Sequence, residues 1–267
     1  MTPTATPQGM LAELARAMWH WLTGWWRLIH LGAQLLALAL SPSSYTPAQR
    51  RVVAHHLYLG TAPSLLWFSV LTTLLSLVLI RIVLVTSLSY GLTQYALEMV
   101  VRVLVLELIP LTAALFAALR CTIPRAGEVA ALRAQGQWEV LRQGGTDPMR
   151  IEVLPRVTAG VFCALLLAAV SCGVTLVLAY LSVYGPTLAG FAAYTHTVGH
   201  VFNPGVAVVF GLKVLLLGIT VALVPMASVL DMAPRGRAGT SVELQGLVRM
   251  FFVILLIEGA SLVGNYY

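Results

Sequence analysis

A chain of 267 residues that is 59% apolar and only 10% charged, with a mean hydropathy of +0.88, lies far outside the range of soluble globular domains and of disordered segments. It reads as an all-α integral membrane protein forming a single domain over residues 1–267. The formal net charge of +6 comes from arginines sorted between alternate loops, which is a topology signal and implies no nucleic-acid partner.

The first element is predicted over residues 8–40. Glu13, Arg16, His20, Thr23, Arg27, His30 and Gln34 break an otherwise apolar stretch at alternating spacings of three and four, the period of one helix face. Trp19, Trp21, Trp25 and Trp26 supply indole rings that favour the headgroup zone, so this helix is expected to lie along the cytoplasmic interface without crossing. A signal peptide is the rival reading, but no basic cluster opens the chain and no small-residue cleavage site follows Leu40. Ser41-Pro42-Ser43-Ser44 reads as a break.

Five mostly apolar runs follow, at about 61–85, 97–119, 157–184, 204–230 and 245–264, each near the ~20 residues that a hydrocarbon core about 30 Å thick requires. Residues 87–99 are only mildly polar, so four spans is the alternative count. Arg16, Arg27, Arg50 and Arg51 precede the first run, six arginines fall within 120–156, and Arg235, Arg237 and Arg249 surround the last connection. The connections at 87–99 and 182–203 hold no Lys or Arg. By the positive-inside rule the amino terminus and the 120–156 insertion are cytoplasmic, and the carboxyl terminus is outside.

Charge inside the runs is rare: Arg81, Arg102, Glu107, Lys213 and Glu258, each costing about 2.5–3.5 kcal/mol at mid-bilayer on insertion scales. Arg81 lies late in its run, where its stem can snorkel to the outer interface. Glu107, Lys213 and Glu258 lie deeper and are expected to form a neutralising cluster, with Arg102 as a second positive charge. Such a cluster is either a static tie between helices or one that rearranges as a substrate path opens. Cys121, Cys163 and Cys172 show no metal spacing and read as packing residues. His196 and His200 are four apart with no acid near them, so 182–203 is read as a plain extracytoplasmic loop and no metal site is expected. No phosphate-binding Gly-x-x-x-x-Gly-Lys-Ser/Thr occurs, so any ATP the protein uses is bound by another chain.

The insertion at 120–156 holds six arginines and four acids, so it must sit in water. Pro124 suits a first helical turn and Gly144-Gly145 a stop, which predicts one amphipathic helix over 124–142. Gly127, Ala131, Ala134, Trp138 and Leu141 fall on one face, and Glu128, Gln135, Glu139 and Arg142 on the other. Asp147-Pro148 reads as an N-cap and first position of a further helix. An ordered helix between membrane spans points to a soluble partner.

Glu107-Leu108-Ile109-Pro110, Arg120, Glu128, the segment from Gly136-Gln137-Trp138-Glu139 to Val140-Leu141, Asp147-Pro148 and Pro155-Arg156 together resemble the MlaE-type permeases of bacterial ABC systems, which carry lipids with MCE-domain partners. The spacing matches without a gap. The chain departs from the family at Ile109 and Leu119, where Gly is usual, at Leu106, often Arg, at Gly136, usually Glu, and over residues 240–248, which lack the family's threonine-rich sequence. The resemblance implies a homodimer in the bacterial inner membrane with two copies of a cytoplasmic ABC ATPase, which holds ATP and Mg, and an MCE-domain protein outside. It makes 124–142 the coupling helix, with Glu128, Gln137, Trp138, Glu139, Leu141 and Asp147 facing the ATPase. It places phospholipid between protomers, with Tyr90, Leu108 and Leu111 as contacts by position. A sterol-like or aromatic cargo is an alternative. A scaffold subunit without a substrate path is a rival class, and an intramembrane enzyme lacks an assembled nucleophile, acid/base pair or metal cluster.

Overall fold

The computed structural model describes residues 7–41, 47–92, 95–145, 147–231 and 239–266. Pro42, Ser43, Ser44, Arg235 and Arg237 lie outside the described residues, as do the side chains of residues 7–22, which include Trp19 and Trp21. Two compact units are present, Met1–Tyr45 and Thr46–Tyr267. The first contains α1, Pro7–Leu40, on which Trp26, Ile29, Ala33 and Leu36 recur at three- and four-residue spacing and are all exposed.

The second unit contains α2 (Pro47–Ser89), α3 (Ala96–Ala134), α4 (Gln137–Gln143), α5 (Met149–Tyr184), α6 (Phe191–Val201), α7 (Pro204–Asp231) and α8 (Gly239–Tyr266). Among the described residues there is no strand. Five stretches are long and apolar enough to cross a membrane: Thr61–Ser89, Ala96–Ala134, Met149–Tyr184, Pro204–Leu230 and Gly246–Asn265. The second and third, of 39 and 36 residues, exceed what about 30 Å of hydrocarbon needs, so each carries a polar extension at its arginine-bearing end.

That extension corrects the expectation of a separate helix over 124–142. Residues 123–134 are the continuation of the second span, and a break at Gln135 and Gly136 separates them from the short α4. Gly136 has φ +74°, a left-handed conformation that glycine adopts without steric cost and other residues adopt under strain. Gly145, at φ +73°, closes the other end of α4. A second correction concerns residues 182–203, read as a plain loop. They contain α6, capped onto α7 by Asn203, whose Oδ1 accepts the Val206 amide at 2.9 Å, with Pro204 opening the next helix.

Three stretches widen into π-helix: Val100–Leu108, Ala118–Thr122 and Met149–Val153. Each ends two residues before a proline, Pro110, Pro124 and Pro155. A proline lacks the amide that would bond the carbonyl four residues back and its ring crowds that carbonyl, and a widened turn relieves the crowding.

α5 is the central helix, packing on α2, α3 and α7, while α7 also packs on α8. Small residues permit the close approach: a Cβ on Gly160 of α5 would lie 2.8 Å from Thr122 Cγ2 and 3.1 Å from Ala222 Cβ. Ser76 of α2 and Thr175 of α5 share a buried hydrogen bond of 2.8 Å. Ile80, Val101, Leu104, Val105, Ile109 and Ala179 form a fully buried cluster. On the exposed side of α2, Trp67, Leu71, Leu74, Val78 and Ile82 face outward.

Candidate functional sites: a buried lysine and a short exposed helix

The buried site grows from Pro110. Without its amide, the carbonyl of Leu106 has no helical partner, and Lys213 of α7 takes it at 3.0 Å. The Val105 carbonyl, one residue further back, accepts the Cys172 thiol at 3.7 Å. Lys213, 2% exposed, also pairs with Glu107 of α3 and with Glu258 Oε2 of α8 at 2.6 Å. An ammonium has three donors, and three oxygens from two other helices meet it. Asn265 Nδ2 donates to the remaining Glu107 oxygen at 3.3 Å. Glu258 Oε1, Ser261 Oγ and Asn265 Oδ1, all on α8, are buried without a hydrogen-bond partner.

The deep charges expected to meet thus do meet, but Arg102 does not join them. Its Nε pairs with Glu98 one turn earlier at 2.9 Å, and both side chains are about a third exposed at 30% and 32%. An acid at i−4 on the same helix satisfies the guanidinium locally, so the cluster holds two carboxylates and one ammonium. Arg81 lies exposed on α2. Cys121 and Cys163 lie with their sulfurs 2.8 Å apart between α3 and α5, and all three cysteines are buried.

The second site, around α4, is held by two arginines, Arg156 and Arg133. Arg156 of α5 pairs with Glu152, donates to the Glu152 carbonyl at 2.8 Å, and reaches Glu128 on α3 at 3.5 Å. Glu128 thereby ties the second span to the third, although its side chain remains 57% exposed. Arg133, at the end of α3, donates from Nη1 to the carbonyls of Val229 at 3.1 Å and Leu230 at 2.8 Å. Those carbonyls belong to the last turn of α7, where helical amides run out. The same guanidinium lies 5.3 Å from the centre of the Trp138 ring on α4, within cation–π range.

α4 itself buries no residue. Gln137, Glu139 and Val140 are exposed, Trp138 and Leu141 half-buried, and Gln137 Nε2 bonds Gln135 at 3.0 Å. Asp147 accepts the Met149 amide at 3.1 Å, so it caps the start of α5 as expected of Asp-Pro. The lipid candidates do not gather: Tyr90, just past the end of α2, is 77% exposed, whereas Leu108 and Leu111 are half-buried on α3, on the order of 18 Å along the helix from its start.

Between the third and fourth spans, α6 is fixed by Tyr194, whose hydroxyl donates to the Leu176 carbonyl at 2.8 Å and whose ring meets Tyr180 edge-on at 5.1 Å. Burial pushes the Tyr194 phenol up to about 12. His196 and His200 lie on the exposed side of this helix.

A family model described as Permease MlaE matches residues 53–262, which cover four of the described spans entirely and the fifth to within three residues of its end. No curated protein matches the chain.

Proposed function

The chain belongs to the MlaE permease family, and from that premise we propose that this multi-pass permease moves phospholipid between the inner membrane and an MCE-protein conduit. The work comes from ATP hydrolysis on a separate cytoplasmic ABC ATPase, where ATP and Mg reside, and this chain makes and breaks no covalent bonds. It acts as a homodimer, with its amino terminus in the cytoplasm and its carboxyl terminus outside. The observation that best supports this reading is α4, a helix with no buried residue held at a fixed place beneath the spans. A solvated connector needs no such helix, whereas a groove on a partner does.

Gln137, Glu139 and Val140 are the exposed residues that meet the ATPase, and Trp138 and Leu141 supply the apolar side. Glu128 and Asp147 act indirectly, by tying α3 to α5 and by starting α5. Tyr90 at the outer end suits a headgroup and Leu108 and Leu111 suit acyl chains, for which an apolar wall demands little desolvation. The exposed strip Trp26, Ile29, Ala33 and Leu36 gives α1 the apolar face that an interfacial helix buries. The ion cluster at Lys213 favours one state of the lipid cavity over the collapsed one.

Co-purification tests the proposal. A tagged chain is expected to bring down an ATPase and phospholipid, with the ATPase lost on Glu139→Lys. Recovery of the chain alone, with neither, would overturn it.

A further inference from the structure

The exposed face of α4 accounts for docking but not for how the spans respond to it. Along the backbone the two links to α4 are glycine joints, Gly136 at φ +74° and Gly145 at φ +73°, with no atom within 4 Å of a Cβ built at either. Joints of that kind bend under load and transmit little. The stiff connection is non-covalent. One guanidinium, that of Arg133, lies over the Trp138 ring of α4 at 5.3 Å and bonds two carbonyls in the final turn of α7, at 3.1 and 2.8 Å.

We infer that Arg133 is the positioning residue through which movement of α4 is passed to α7, and so to Lys213 and its carboxylates. The inference rests on the docking role proposed for α4. A planar guanidinium can stack on an indole and donate two in-plane bonds at once, which an ammonium cannot. Its charge also faces the negative end of the α7 dipole. From Leu230 to Lys213 the helix runs about 25 Å, through Leu217, Val221 and Val224, each 2% exposed or less. Pro225 leaves one rung of the backbone ladder open between them, but the buried packing on both sides of it carries a displacement at the cytoplasmic end on to the buried ion cluster. Arg133 touches neither lipid nor, on this assignment, the ATPase.

The test uses the chain co-expressed with the ATPase that co-purifies with it, in lipid nanodiscs. ATPase stoichiometry, ATP hydrolysis, and transfer of a fluorescent phosphatidylethanolamine per ATP are measured. In Arg133→Gln the ATPase stays bound and basal hydrolysis is retained, while lipid moved per ATP falls about tenfold, the middle of the usual range for coupling between sites. Arg133→Lys keeps the charge at the helix end but loses the stack, and falls by about threefold. The lysine variant also guards against misfolding of the glutamine variant. Unchanged transfer per ATP in both variants overturns the inference and leaves docking untouched. Loss of the ATPase from the lysine variant also overturns it, since Arg133 then belongs to the docking face. Failure of the unaltered chain to bind any ATPase sinks the proposed function instead.

Discussion

Two cations organise this protein, and they do so under opposite conditions. Lys213 is 2% exposed, and its three donors meet three oxygens from α3 and α8. Arg133 is half-buried at the far end of α7, where it bonds two carbonyls and lies over an indole. In the membrane interior no water can replace a lost partner, so the lysine centre is costly to disturb. At the arginine joint water can replace one, so geometry there adjusts at small cost. On the proposed function, the deep site holds a state and the shallow one follows a partner.

The largest expected effect comes from breaking the deep site. Lys213→Ala leaves two carboxylates facing each other and is expected to cost about 3–5 kcal/mol, measured by thermal unfolding in detergent. Lipid transfer is lost while dimer assembly, read by cross-linking, persists. Adding Glu258→Gln recovers part of the stability by removing the repulsion. Unaltered transfer in Lys213→Ala would leave the cluster a purely structural role.

The contrast sharpens at two glycines. Gly160→Ala forces a methyl against Thr122 and Ala222, both backed by packed helices, and is expected to cost about 1–3 kcal/mol by overpacking. Gly136→Glu, which installs the residue usual in the family, meets no atom within 4 Å. Its cost is only the left-handed backbone, about 1 kcal/mol. Equal losses at the two sites in thermal melts would erase the distinction between a rigid interior and a tolerant cytoplasmic end. The smallest effect belongs to Glu128→Gln, which weakens a 3.5 Å pair with Arg156 that is largely in water. It is expected to shift stability by about 0–1 kcal/mol.

Much of this arrangement is legible from residue chemistry alone. Five apolar runs have few fates other than crossing a membrane, and Glu107, Lys213 and Glu258 are conspicuous because charge there is expensive. The rest depends on distant parts of the chain. Arg102 looks equivalent to the other buried charges until its local partner Glu98 is considered, and an i−4 acid is a signal that could have assigned it. The break at Gly136 was ambiguous, since a lone glycine in a helical pattern either stays helical or ends the helix. α6 carries little charge to mark a helical face. The partners of Arg133 are backbone carbonyls 96 and 97 residues away, and carbonyls leave no mark on a sequence. Pro110, Pro124 and Pro155 are the readable sign of the widened turns.

Pro110 bears on which contacts at Lys213 can be given up. The Leu106 oxygen belongs to the main chain and cannot swing away as a side chain does. A carboxylate can leave by rotating about its own bonds. Lys213 therefore has one fixed mooring on α3 and two lines that can be slipped. As long as α3 and α7 keep their spacing the mooring holds, whereas α8 is tied to the lysine by a side chain alone.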